Sequence, residues 1–385
     1  MKKVKCGIIG CGLMGREFAA AVARWPALLT LDARPEIIAV CDLNKELFPW
    51  YTANFDSIHL ASTEYHELLD DQEIEFIYCA VPHHLHENIY IDIIRAGKHL
   101  MAEKPFGINK DANRNILHVI DEYPERFVRC SSEFPYYPGA WRMQKLMAEN
   151  PWGRIIEVNA GFLHSSDINY EKPINWKRIV SLNGEYGCLC DLGMHVLHLP
   201  LRNRWFPHHL FASLSNIVTE RPDQSGQSVP CETWDNASLC CLVRHPQDGY
   251  EFPMNLKTWR IAPGEINTWY IEILGTRFSA RFSTKNPKTL ETMTYVNGGK
   301  QEWRREDLGY ESVYKTITGG IFEFGFPDAI LQMWAAFIDE YLNRPVQMPY
   351  GCVRPEETYN QHHILSAALE SQRLKKSVDL KIERD

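Results

Sequence analysis

The segment Gly10-Cys11-Gly12-Leu13-Met14-Gly15 follows directly on the apolar run Val4–Ile9 and opens a helical pattern through Leu13, Phe18 and Val22. Strand, glycine turn and helix in that order form the first half of a dinucleotide-binding βαβ unit, which leaves few folds open to the chain. Each glycine has its own task. Gly10 permits the tight turn, Gly12 lets the backbone approach a pyrophosphate, and Gly15 lets the helix pack on the strand. Free backbone N–H groups and the positive end of the helix dipole then face the phosphates. The competing reading is a glycine-rich turn with no ligand.

Two further apolar runs repeat the theme: Ile37–Cys41 stops at Asp42, and Phe76–Val81 stops at Pro82. Both read as buried parallel strands. A helix is expected over Glu87–Ala96 with Gly97 as its cap, then a strand over His99–Ala102. This alternation implies a doubly wound sheet. An acid at the end of the second strand can accept both ribose hydroxyls of adenosine and repels a 2′-phosphate, so Asp42 favours NAD over NADP. An ordinary strand-end turn residue is the alternative. Trp25–Pro35 reads as an insertion that lengthens the spacing from the glycine turn to Asp42.

Past residue 150 the texture changes, with Ile155–Ala160 and Trp269–Leu274 alternating as half-exposed antiparallel strands do. Near the end, Ile330, Leu331, Trp334, Phe337, Ile338, Tyr341 and Leu342 mark the core-facing stripe of a helix that starts after Pro327. A chain of 385 residues exceeds a comfortable single core, so two domains are expected. The net charge of −8, with no concentration of Lys and Arg, argues against nucleic acid as a partner. Eleven cysteines without a CxxC pair argue against a disulfide framework or a zinc ribbon and fit a reducing cytoplasm. Lys2, Lys3 and Lys5 imitate the start of a signal peptide, but Arg16 and Glu17 interrupt the apolar stretch that follows. No run reaches the ~18 apolar residues of a membrane span.

Ala102-Glu103-Lys104-Pro105 is a second motif at a strand end. Together with the glycine turn, Asp42, Val81-Pro82-His83-His84-Leu85-His86 and Asp191-Leu192-Gly193-Met194-His195, it resembles the glucose-fructose oxidoreductase, inositol dehydrogenase and MocA family over nearly the whole chain. The resemblance implies an α/β fold: an N-terminal NAD-binding Rossmann domain in 1–130, and a C-terminal α/β domain on a large open, mainly antiparallel sheet in 131–385. The second domain is expected to bind substrate and to form a homo-oligomer, a dimer or tetramer. NAD is the implied cofactor, and the implied substrate is a sugar, glycoside or cyclic polyol with a secondary alcohol. A cis Lys104-Pro105 bond is also implied. Cofactor contacts are expected from Gly10, Gly12, Leu13, Met14, Gly15, Asp42, Pro82, Glu103 and Lys104. Substrate contacts are expected from His83, Glu133, Trp176, Lys177 and His198. His83 and His198 depart from the Asn and Asp of many relatives, which leaves the identity of the substrate open.

Taking a hydride from a carbinol carbon requires a base for the hydroxyl proton. His195 is the candidate, since an imidazole with a pKa near 6.5 suits that task at neutral pH. Lys104 can donate to the developing alkoxide. Asp191 stands one helical turn before His195, where it can bind a neighbouring hydroxyl and support the imidazolium; an exposed helix pair is the plainer reading. Cys188, Cys190, Asp191, His195 and His198 include zinc-ligand types, but Cys-x-Cys followed by His-x-x-His is not a recognised spacing, and no metal is expected. Two other functions fit the same motifs. One is cleavage of a glycosidic bond through transient oxidation by tightly bound NAD, and the other is a nonenzymatic dinucleotide sensor.

Overall fold

The computed structural model describes residues 1–29, 31–308, 311–342 and 351–380. The chain divides into two compact units, the first made of Met1–Gly107, Asp111–Tyr136 and Ser312–Pro355, the second of Ile108–Lys110, Tyr137–Glu311 and Glu356–Asp385. The boundary expected at 130/131 therefore differs in two ways. The first unit runs on to Tyr136, and it takes back a stretch more than 170 residues later, Ser312–Pro355.

In the first unit six parallel strands lie in the order Leu60–Ser62, Ala33–Cys41, Lys2–Ile9, Phe76–Cys79, His99–Ala102 and Val128–Cys130. Chain order runs outward in both directions from Lys2–Ile9, so the carboxyl ends of that strand and of Phe76–Cys79 flank the switch point where doubly wound sheets take ligands. The helices Leu13–Ala23 and His86–Arg95 follow their strands, the second beginning one residue before the expected start. Ala33, Arg34 and Pro35, read from sequence as insertion, are the first residues of the second strand. What remains of that insertion includes a short turn, Trp25–Ala27, whose buried indole donates to the Ala33 carbonyl at 2.8 Å.

The apolar stripe near the chain end becomes the helix Phe326–Tyr341, which starts two residues earlier than expected, with the Gly325 N–H held by the Asp328 carboxylate at 2.8 Å. Its core is that of the first unit. Trp334 lies 3.9 Å from Phe18 between ring centroids, and Phe337 lies 5.1 Å from Phe76.

The second unit is built on a nine-stranded sheet, in the order Arg304–Asp307, Thr289–Thr294, Phe278–Ser283, Thr268–Gly275, Ile155–Leu163, Glu251–Trp259, Asn236–Arg244, Pro207–Ser215 and Val378–Asp379. Its neighbours are antiparallel except Ile155–Leu163 and Glu251–Trp259, so Ile155–Leu163 has one neighbour of each kind in a mainly antiparallel sheet. Buried and partly exposed residues alternate along Thr268–Gly275, as its sequence implies. The helix Cys188–Arg202 packs on the central strands and is buried from Cys188 to Leu201. Among the described residues no helix is long and apolar enough to cross a membrane.

Candidate cofactor and active site

The three glycines of the turn meet different surroundings. Gly10 has φ +102°, and a Cβ there would sit 2.4 Å from the Ala80 carbonyl oxygen; a Cβ on Gly15 would sit 2.2 Å from that of Gly10. A Cβ on Gly12 would meet nothing within 4 Å. Two glycines thus serve close packing, and the third leaves its backbone open at the N-cap of Leu13–Ala23. This is the cradle that a pyrophosphate needs, and the residues present fit a dinucleotide. Leu13 is exposed beside it and Met14 half-buried. The Asp42 carboxylate is fixed against the turn: Oδ2 accepts the Cys11 N–H at 2.8 Å, and Oδ1 accepts the Asn44 N–H at 2.9 Å. Each oxygen has a second lone pair for a further donor.

Lys104 follows a residue held from several sides. The buried Glu103 carboxylate accepts the Tyr78 hydroxyl at 2.7 Å and the Ser131 hydroxyl at 2.8 Å, and its carbonyl accepts the Tyr90 hydroxyl at 2.8 Å. The Lys104 N–H donates to Glu103 Oε2 at 3.3 Å, and the Lys104-Pro105 bond is cis. His86 lies between two carbonyls, 2.7 Å from Pro105 O and 2.9 Å from Val81 O, with its ring stacked on Tyr90. Burial lowers its pKa to about 4 despite those carbonyls. Pro82 precedes a short turn, His83–Leu85, in which His83 is buried with its ring 5.4 Å from that of His86. Glu133 is also buried, and burial first, then the Glu103 charge, push its carboxyl up to about 7, with Lys104 opposing.

In the second unit Asp191 is gripped by two cations. Lys177 Nζ lies 2.9 and 3.1 Å from its oxygens, and Arg260 Nη2 lies 2.9 Å from Oδ2. Burial works against the Arg260 charge, but Asp191 and other anions outweigh it and hold its pKa above the ordinary arginine value. Lys177 sits on the turn Trp176–Arg178, its ammonium 5.7 Å from the Trp176 ring centre. His195 follows Asp191 by one turn of the same buried helix; the Trp269 indole donates to its carbonyl at 3.1 Å, and Phe162 meets its ring edge to face. His198 lies 3.5 Å from Glu357, which Arg202 binds with two N–H groups at 2.6 Å, so its ring is engaged with a carboxylate of the fold. Burial lowers the His198 pKa, against the pull of Glu357. Cys188 lies against the Thr258 hydroxyl, its thiol pushed by burial up to about 12. Among the described residues no group of three or more His, Cys, Asp or Glu comes together to hold a metal.

Sequence reasoning missed Arg260, Tyr78, Tyr90 and Ser131. Arg260 left one signal, as a charged residue directly after the alternating strand Glu251–Trp259 and before Pro263-Gly264.

Residues 4–129 match the family model described as oxidoreductase family, NAD-binding Rossmann fold, GFO_IDH_MocA. Residues 4–129 thus carry the NAD-binding Rossmann fold of that oxidoreductase family. The chain's relatives include levoglucosan dehydrogenase of Pseudarthrobacter phenanthrenivorans, 26% identical over 240 residues, a match covering 59% of this chain and 57% of that protein. Glucose-6-phosphate 3-dehydrogenase of Bacillus subtilis is 25% identical over 305 residues, covering 77% of this chain and 79% of that protein. The match thus spans less than two thirds of the first relative and more of the second. Among solved structures, the apo form of levoglucosan dehydrogenase superposes with a TM-score of 0.87 at 22% identity, covering 100% of both chains. A levoglucosan dehydrogenase complex with NADH and levoglucosan gives 0.85 at 22% identity, covering 99% of this chain and 100% of that one. At these identities the likeness speaks to the fold alone.

Proposed function

We propose that this protein is an NAD-dependent dehydrogenase that oxidises a secondary hydroxyl of a sugar, glycoside or cyclic polyol. The observation that carries the reading is Asp191, held by Lys177 and Arg260 one helical turn before His195, in a chain whose first unit belongs to an NAD-binding oxidoreductase family. The relatives' names, levoglucosan dehydrogenase and glucose-6-phosphate 3-dehydrogenase, support a carbohydrate alcohol as substrate. NAD, when bound, supplies the hydride acceptor. Gly12, with Leu13 and Met14 beside it, would hold the pyrophosphate, and Asp42 would hold the adenosine ribose. His195 takes the proton of the reacting hydroxyl, Lys104 donates to the oxygen that it leaves, and Asp191 accepts from a neighbouring hydroxyl.

The test is a panel of aldoses, glycosides and cyclic polyols with NAD, followed by nicotinamide absorbance and by mass spectrometry of the products. NADH is expected to accumulate with at least one polyol or sugar. His195→Ala is expected to lower turnover by roughly 10²–10⁴, and Lys104→Ala by a comparable factor, since loss of an oxyanion donor costs ~2.7–4 kcal/mol. NADH binding should survive His195→Ala, whose side chain is not among the expected cofactor contacts. Glycoside cleavage without net NADH would replace this reading with the transient-oxidation one.

A further inference from the structure

Lys177, Asp191 and Arg260 form a short run of charge in the second unit that opens to solvent at one end. The Arg260 and Asp191 side chains are 3% and 5% exposed, whereas that of Lys177 is 38% exposed. Arg260 uses two arms on two segments: Nη2 binds Asp191 on the helix Cys188–Arg202, and Nη1 reaches the Lys177 carbonyl at 3.3 Å on the turn Trp176–Arg178. The Thr233 hydroxyl holds the same carbonyl at 2.9 Å. A planar guanidinium with donors in a fixed fork sets the separation of the two segments in a way that a point charge cannot.

The chemistry of the pair follows. An ionised carboxylate only accepts hydrogen bonds, and an ammonium only donates. A hydroxyl set beside the pair answers both, accepting from Lys177 while donating to Asp191. An ether oxygen answers one of them, and a methylene neither.

We propose that Arg260 is a positioning residue that locks Lys177 and Asp191 into a donor–acceptor pair, and that this pair selects substrates with a free hydroxyl next to the reacting carbinol, the vicinal diols among sugars and polyols. The proposal rests on the dehydrogenase reading for its reaction, and adds to it a residue and a substrate feature.

The experiment compares kcat and KM for a polyol and for its analogue lacking the vicinal hydroxyl, in the wild type, Arg260→Lys, Arg260→Met, Asp191→Asn and the Arg260→Met/Asp191→Asn double variant. Thermal midpoints of the same proteins are measured alongside. The wild type is expected to prefer the diol in kcat/KM by at least about 10², since a site built to bond a hydroxyl leaves its polar groups unmet by the deoxy analogue. Arg260→Met should shrink that preference to within about tenfold and add no further loss in the Asp191→Asn background, as expected of coupled residues. Arg260→Lys, which keeps the charge without the fork, should lie between. Equal loss on both substrates would mark a merely structural arginine and overturn the proposal, as would an unchanged preference in Arg260→Met. If Arg260→Met does not fold, Arg260→Lys against wild type decides by the same preference. If the wild type turns over no substrate, the dehydrogenase reading is what fails, and the thermal cycle judges the lock alone: coupled midpoints uphold it, and additive ones overturn it.

Discussion

Asp42 shows how much one side chain can be asked to do, because its carboxylate both braces the glycine turn through Cys11 and stands where an adenosine ribose is proposed to lie. Asp42→Ser should therefore weaken NADH binding by about tenfold to a hundredfold, the loss of one charge-assisted hydrogen bond worth about 1.5–3 kcal/mol. NADPH should lose far less, because the same change removes the repulsion of a 2′-phosphate. Fluorescence titration with both cofactors measures this, and equal affinities in the unmodified protein would remove the basis for preferring NAD. Glu133 makes a different prediction. Its folded pKa stands near 7 against an ordinary 4.5, so the unfolded chain releases this proton earlier on the pH scale than the folded one. The folded state thus holds more protons between those values, and stability falls as pH rises through that window. The cost is absent below the lower value and complete above the upper one, on the order of 3 kcal/mol. Glu133→Gln removes it. The thermal midpoint of that variant should rise above wild type by an amount that grows from pH 5 to 8, and a difference that does not change with pH would refute the assignment.

At the scale of elements, the helix Phe326–Tyr341 decides the first core as much as any strand, since Trp334 packs on Phe18 of the helix that carries the glycine turn. Trp334→Ala should cost about 3–5 kcal/mol by urea unfolding, as large-to-small changes in cores do, and a loss under about 1 kcal/mol would mean that the rings do not share a core. This helix also marks the limit of what the sequence disclosed. Its apolar stripe was legible because burial of one face imposes a period, but a period says that a face is covered and not by what. Gly10, Gly12 and Gly15 were legible for the opposite reason: their constraints are local, a positive φ, an open backbone and a close approach within a few residues. Arg260 and the His86 contacts were hidden, because their partners come from segments distant in sequence and acceptors such as the Lys177 and Pro105 carbonyls carry no residue signature. The contact of His198 with Glu357 was hidden for the same reason: the family resemblance marks His198 by its place three residues after His195, whereas Glu357 lies far along the chain.

The whole chain follows an interleaved path: after a brief visit at Ile108–Lys110 it enters the second unit at Tyr137, comes back to the first at Ser312, and leaves again at Glu356. Each unit therefore depends on residues near the end of the chain. The first needs Trp334 and Phe337, both almost fully buried, and the Cys130 N–H bonded to the Val353 carbonyl at 2.8 Å. The second needs the helix Pro355–Leu374, which supplies Glu357 to Arg202 and Ser366 to Tyr186, and the strand Val378–Asp379 that pairs with Pro207–Ser215. A fragment ending at Glu311 keeps the glycine turn, Asp42, Lys104, Asp191 and His195, so by motif alone it has everything the proposed reaction uses. Physically it lacks part of both cores. Losing the equivalent of two buried aromatic side chains costs roughly 6–10 kcal/mol, which is comparable to the whole stability of about 5–15 kcal/mol expected of a folded protein. The fragment should show no cooperative thermal transition and no NADH binding, whereas the full chain should show both, with a midpoint that rises as NADH is added. Calorimetry of the two proteins with and without NADH provides the comparison. A fragment that unfolds cooperatively and binds NADH would show that the residues after Glu311 are dispensable to the first unit, contrary to the packing of Trp334 on Phe18.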